Sequence, residues 1–359
     1  MTATSATPAP LRFAIIGAGA ISEHAANDLQ RIPGVSMPLV ADPSPERAAT
    51  LAAKVGGQVA ASTEAAFADD RIDAVYIAVP NKFHAPLAEA ALKAGKHVIL
   101  DKPFALNAGE AERVVAAATA SGKVFALGMN QRFAEPARRL KALVDSGRLG
   151  EVYHAKAFWQ RRWGIPKLGT WFGQKAVAGG GGLLDIGVHM LDLGLHTISD
   201  FDHEAVLGAT YTRFGNRGLG EGGWGKSDVA KDAVFDVDDF ASAFVRLKSG
   251  RSLTLDATWA AMQETSDRSG IQLFGSEGGA IMENWQVRLT TRSANGDWNV
   301  IENPDVGELP FAHGCRFRNV VNHIRGEEAL VTTPQQALAV QRILDGIYAS
   351  AAHRQTATR

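Results

Sequence analysis

One cysteine, Cys315, stands in 359 residues, so no internal disulfide can form and a reducing compartment, the cytoplasm, is implied. Neither charge sign dominates. The 37 basic and 38 acidic side chains give a formal net charge of −1, which argues against a nucleic-acid partner or a basic membrane patch. No apolar stretch reaches the length of a membrane span. The opening MTATSATPAP lacks the basic start and apolar core of a signal peptide, and residues 1–10 read as a flexible tail. No internal repeat is evident. What remains is ordinary for a globular protein, 46% hydrophobic and 21% charged, with enough chain for two domains.

The strongest local pattern is a short apolar run, Leu11 to Ile16, followed by Gly17-Ala18-Gly19-Ala20-Ile21-Ser22 and a helical stretch. Strand, glycine turn and helix in that order form a dinucleotide-binding unit. Gly17 permits the tight turn and Gly19 lets the backbone approach a pyrophosphate. The helix N-terminus at Ala20 and Ile21 offers it unpaired N–H groups. Ser22 replaces the third glycine of the fingerprint. Val35 to Ala41 reads as the next strand, with Asp42 at its end. An acid there accepts from the adenosine ribose and repels a 2′-phosphate, so NAD is favoured, and NADP is possible if Arg47 reaches the phosphate. The alternative for Asp42 is a helix cap before Pro43. Strands at Ala74 to Val79, His97 to Leu100 and Lys123 to Leu127 alternate with helices at Ala85 to Ala94 and Glu110 to Ser121. The strand ends that face one sheet edge carry Pro80-Asn81, Asp101-Lys102-Pro103 and Met129 to Arg132, where ligands bind in open α/β sheets.

A second pattern lies in GGGGLLDIGVHMLDLGLH, Gly179 to His196. At 100° per residue, Asp185, His189, Asp192 and His196 fall in one narrow arc of a helix otherwise filled by Leu184, Ile186, Met190, Leu191 and Leu195. Such a helix is buried, so its polar stripe needs partners or a cavity. The stripe can be a satisfied buried network, a metal site, or an acid/base pair of His189 beside Asp185. No second cluster of metal ligands supports the metal reading.

GAGAIS with His24 following, the run Ala78 to Pro103, GMNQRF from Gly128 and GGGGLLDIGVHMLD together resemble the glucose–fructose oxidoreductase/inositol dehydrogenase/rhizopine-catabolism (Gfo/Idh/MocA) family. Asp101 replaces the family's usual glutamate before Lys102-Pro103. The resemblance matches Lys102, Asp185 and His189 to the family's catalytic lysine, aspartate and histidine. It also implies that Asn81 and His84 lie near the nicotinamide, and it brings the acid/base reading of the stripe forward. Asp192 and His196 stay with the structural reading.

After Pro136 to Ser146, a helix, the chain reads as strands: Glu151 to Trp159, Glu204 to Phe214, Asp236 to Leu247, Arg251 to Ala261, Gly270 to Phe274, Gln286 to Arg292 and Asp297 to Ile301. Pro334 to Ala351 is a final helix. The expected architecture is an α/β Rossmann domain with a parallel sheet over residues 11–132. An α+β domain with a large, mostly antiparallel open sheet follows over residues 133–359. The resemblance implies that the open face joins subunits, as a homodimer or homotetramer. Two loops rich in Arg, Trp and Gly, Gln160 to Phe172 and Gly215 to Lys231 with Trp224, suit a sugar, whose ring face stacks on indole. Arg132, Arg161, Trp163, Asp185 and His189 are the candidate substrate contacts.

The expected activity is hydride transfer between a sugar or cyclic polyol and NAD(P), with no metal. An NAD-dependent glycosidase that oxidises, eliminates and re-reduces is a rival on the same fold, and a non-catalytic nucleotide sensor is a rival from another class.

Overall fold

A computed structural model describes residues 10–222, 234–311 and 313–358. The expected tail up to residue 9, and the second Arg/Trp/Gly-rich loop from residue 223 on with Trp224, lie outside the described residues. The chain divides into two compact units. The first takes Met1–Ala105, Gly109–Gly128 and Cys315–Gln335, and the second takes Leu106–Ala108, Met129–Gly314 and Gln336–Arg359.

The first unit is built on a parallel sheet of β1 (Leu11–Ile16), β2 (Val35–Ala41), β3 (Gln58–Val59), β4 (Ala74–Ile77), β5 (His97–Leu100) and β6 (Phe125–Leu127). Its order is β3-β2-β1-β4-β5-β6. The chain runs outward from β1 to β3, then returns to β4 on the other side of β1. That reversal opens a crevice at the carboxyl ends of β1 and β4. Every residue of β4 is buried, as continuous apolar strands are when helices cover both faces. Phe13, Ile15, Val40, Tyr76 and Ile99 share a core with Phe317, Val320 and Val321 of the helix Arg316–Ile324. The Phe317 ring meets Tyr76 edge-on at 5.3 Å.

The second unit carries a nine-stranded sheet of β7 (Val152–Arg161), β8 (His203–Tyr211), β9 (Phe240–Leu247), β10 (Ser252–Thr258), β11 (Asp267–Gly275), β12 (Gly278–Glu283), β13 (Gln286–Arg292), β14 (Trp298–Glu302) and β15 (Ala357–Thr358). The order is β14-β13-β12-β11-β7-β10-β9-β8-β15, antiparallel except where β7 meets β10. Both sheets are as the sequence led us to expect. Its pleat separates two faces. One cross-strand row reads Val206, Val245, Leu253, Ala155, Leu273, Ala280 and Leu289, all buried. The neighbouring row reads Leu207, Phe244, Thr254, Lys156, Gln272, Ile281 and Arg288, a mixed row whose residues are exposed or half-buried. The helix Val188–Ile198 packs on the first face. At Gly194 a side chain would start 2.7 Å from Leu253 Cδ1 and would push the end of that leucine aside.

Candidate active site

In the first unit the turn after β1 has the features a pyrophosphate needs. Gly17 has φ +93°, and a Cβ there would sit 2.1 Å from the Ala78 carbonyl oxygen. A Cβ on Gly19 would meet nothing within 4 Å. The helix Ala20–Gln30 starts there with no side chain capping it, and Ala20 and Ile21 are exposed. The Ser22 hydroxyl in the same turn is buried and has no hydrogen-bond partner. Open space above uncapped N–H groups fits an anionic dinucleotide.

Asp42, at the end of β2, accepts from the Ala18 N–H at 2.7 Å, the Ser44 N–H at 2.7 Å and Arg47 Nη2 at 2.9 Å. Burial works against its charge, but these donors outweigh it and hold the carboxyl below its ordinary range. Asp42 is therefore a fixed negative charge that also closes the glycine turn. Ser44, not Asp42, caps the following helix by accepting from the Arg47 N–H. Arg47 is a largely exposed partner of Asp42.

At the neighbouring strand ends, Asn81 is buried behind Pro80. His84 is buried too, with Nδ1 2.6 Å from the Pro103 carbonyl and Nε2 2.8 Å from that of Val79. Burial lowers its pKa although both carbonyls oppose the shift. The imidazole thus ties the loop after β4 to the loop that carries Lys102. Asp101 accepts from Arg316 Nη1 at 3.0 Å, and the same nitrogen reaches the Gly128 carbonyl at 2.6 Å. The shorter acid therefore anchors the base of the Lys102 loop.

In the second unit the polar stripe is not carried by one uniform helix. Leu183–Gly187 forms a π turn, and a regular α-helix runs from Val188 to Ile198. The widened turn changes the phase at which Asp185 joins the α-helix that carries His189, Asp192 and His196. The turn is tightly packed. A Cβ on Gly181 would lie 1.8 Å from the Asp238 carbonyl oxygen, and one on Gly187 would lie 2.8 Å from Ala257 Cβ. The buried Asp238 carboxylate accepts from the N–H groups of Gly181 and Leu183, each at 2.8 Å, and from the Tyr348 hydroxyl at 2.7 Å. Burial raises the Asp238 pKa, against the pull of those donors.

Asp185, half-buried, accepts from Trp259 Nε1 at 2.8 Å. His189 keeps 8% of its surface exposed, and its ring lies 6.0 Å from that of Trp159. The Trp159 Nε1 donates to Asp267 at 2.9 Å, and Arg161 stacks on the indole at 4.7 Å while pairing with the same carboxylate. Trp159, Trp259, Asp238 and Asp267 escaped the sequence reading. Trp159 and Trp259 looked like strand residues, and only contacts distant in sequence give them a role.

The other half of the stripe is locked. Arg132, a candidate substrate contact, has no exposed side-chain surface and forms a two-pronged pair with Asp192, at 2.8 and 2.5 Å. Its third nitrogen reaches Gln336 Oε1 at 2.6 Å. A guanidinium so enclosed offers no face to a sugar. Burial, aided by the nearby positive charges of Arg132 and Lys141, lowers the pKa of His196 to about 2. By contrast Trp163 is 47% exposed, with its edge against Phe214. Among the described residues, no group of three His, Cys, Asp or Glu side chains could hold a metal ion.

These features define a Rossmann-type oxidoreductase with a separate antiparallel-sheet domain. Residues 11–129 match the family model described as the oxidoreductase family with an NAD-binding Rossmann fold, and residues 137–281 match the Gfo/Idh/MocA C-terminal domain. The chain belongs to the Gfo/Idh/MocA oxidoreductase family, and its parallel-sheet unit is the NAD-binding part. It is similar to D-glucoside 3-dehydrogenase of Escherichia coli (strain K12), 29% identical over 361 residues and 98% of each chain. It is also similar to a putative UDP-kanosamine synthase oxidoreductase subunit of Amycolatopsis mediterranei (strain S699), 34% identical over 279 residues, 75% of this chain and 74% of that one. The solved structure of levoglucosan dehydrogenase with NADH and levoglucosan shares the fold, with a TM-score of 0.81 at 21% identity over 97% of this chain and 99% of that one. Among the described residues, no helix is long and apolar enough to cross a membrane.

Proposed function

We propose that the protein is an NAD-dependent dehydrogenase that interconverts a ring hydroxyl and a carbonyl on a sugar, a sugar derivative or a cyclic polyol. The observation that carries this reading is the π turn, which holds Asp185 half-buried against the Trp259 indole one turn before His189. The printed names of the similar proteins, a glucoside dehydrogenase and a levoglucosan dehydrogenase, support the substrate class. NAD supplies the hydride acceptor. His189 takes the proton of the reacting hydroxyl, and Lys102 stabilises the negative charge that develops on that oxygen. Asp185 orients the ring by accepting from a hydroxyl, and the exposed Trp163 indole offers a stacking face, with Arg161 behind Trp159. Gly17, Gly19, Ala20 and Ile21 hold the pyrophosphate and Asp42 the ribose, with Arg47 beside it. Pro80, Asn81, His84 and Asp101 shape the nicotinamide end.

The test is NADH formation on a panel of aldoses, glycosides and inositols, each with NAD and with NADP. A substrate that reduces NAD supports the reading, whereas a glycoside cleaved with no net NADH would replace it by the glycosidase. Asp42→Ser should lower the NAD-to-NADP ratio of kcat/KM about tenfold or more, since it removes a fixed charge from the 2′ position. An unchanged ratio would sink the ribose assignment.

The exposed apolar side chains on the outer face of the nine-stranded sheet support a homodimer or homotetramer. Leu207 and Phe244 stand side by side on it, and Trp298 and Val300 are exposed at its other end. A monomeric mass by light scattering at micromolar concentration would refute this. The single cysteine and the cofactor suit the cytoplasm.

A further inference from the structure

We propose that Trp259 is a positioning residue for Asp185, and this rests on the reading of Asp185 as a substrate contact. Trp259 is fully buried, yet its one polar atom does not face backbone or water. Its Nε1–H points at Asp185 Oδ2 from 2.8 Å. An indole N–H only donates, so the oxygen it meets must accept, and a carboxylate held this way keeps its plane.

The donor is itself held rigidly. The Trp259 N–H bonds the Asp239 carbonyl at 2.8 Å, and the neighbouring Thr258 hydroxyl lies 3.0 Å from the Asp239 carbonyl and 2.9 Å from that of Ala260. The Trp259 ring packs with Ile165, Ile186, Val237, Ala257 and Ala260. On the other side the Asp238 carboxylate pins the start of the π turn through Gly181 and Leu183. Asp185 therefore sits on a turn fixed at its start by Asp238, with its carboxylate aimed by Trp259. An ordinary α-helical turn at Leu183–Gly187 would alter the direction of the Asp185 side chain relative to that indole. The π turn and the buried tryptophan are thus two parts of one device that fixes the direction of a single carboxylate.

The test is a double-mutant cycle of Trp259→Phe and Asp185→Asn, with kcat, KM, NADH affinity and melting temperature read for each variant. Trp259→Phe should lower kcat/KM about ten- to a hundredfold, the size of a lost hydrogen bond to a charged group. The same change in the Asp185→Asn background should matter less than about threefold, and NADH affinity should hold in all variants. Because Phe leaves a small cavity, replacing Trp259 by 3-benzothienylalanine, in which sulfur takes the place of the N–H, gives the second variant. It should reproduce the kinetic loss without the melting loss. Equal effects of Trp259→Phe in both backgrounds, or full activity of the benzothienyl variant, would overturn the proposal. If Asp185→Asn alone leaves kcat and KM unchanged, the substrate-contact reading of Asp185 fails instead, and the positioning proposal falls with it.

Discussion

The two halves of the segment from Leu183 to Ile198 contain the same residue types, an aspartate and a histidine each, in opposite situations. In the C-terminal half, Asp192 is enclosed with Arg132 and the His196 Nε2 is buried without a hydrogen bond. In the N-terminal half, Asp185 is half-buried on a π turn, and His189 is buried with its ring 6.0 Å from that of Trp159. Residue type therefore does not separate a structural polar group from a reactive one. What separates the two aspartates is the partner, an enclosed guanidinium for Asp192 and a single indole N–H for Asp185 on the half-buried turn.

The largest effect expected from breaking the locked half is on stability. Asp192→Asn leaves the Arg132 charge enclosed without its counter-ion, which costs about 3–5 kcal/mol. Urea unfolding should show that loss, while kcat of the folded fraction stays within a few-fold. A stability loss under about 1 kcal/mol together with a collapse in turnover would move Asp192 to the reactive side.

Much of this was legible. Gly17, Asp42 and the alternating strands and helices of the first unit are local patterns, because each element there is a continuous apolar run between turn residues. The burial of Leu184, Ile186, Met190, Leu191 and Leu195 followed from helical spacing and is observed. The π turn was not legible, since a uniform 100° step hides an inserted residue, and the groups packed against it, Asp238 and Ala257, are distant in sequence. β12 was missed because its sequence, GGAIME, opens with glycines that read as a turn. The helix Arg316–Ile324 was missed as well, although Phe317, Val320, Val321 and Ile324 have helical spacing. Its place against Tyr76 depends on contacts far apart in sequence. Arg132 was taken for a ligand contact because sequence gives its strand-end position but not its partner.

A smaller effect sharpens the comparison at the histidine of the C-terminal half. The ordinary histidine pKa is near 6.5, but burial lowers that of His196 to about 2 and that of His97, in the first unit, to about 4. A folded-state pKa below the unfolded value means the unfolded chain binds protons first as pH falls. The stability these neutral imidazoles contribute is complete above pH 6.5 and declines below it, down to each folded-state value. Between pH 6.5 and 5 the wild type should lose about 1–2 kcal/mol per buried histidine, and His196→Phe should show a shallower decline. Identical urea midpoints against pH for the two proteins would contradict that assignment.

The central claim is that the N-terminal half of the stripe, Asp185 and His189, does the chemistry, and His189→Ala tests it most directly. On a substrate found in the sugar panel, kcat should fall by about two to four orders of magnitude, the range for a lost general acid/base group. NADH affinity, measured on the same preparation, should stay within about threefold, because the glycine turn and Asp42 belong to the other unit. Near-normal turnover by a folded, NADH-binding His189→Ala protein would contradict the account and return the whole stripe to a structural role.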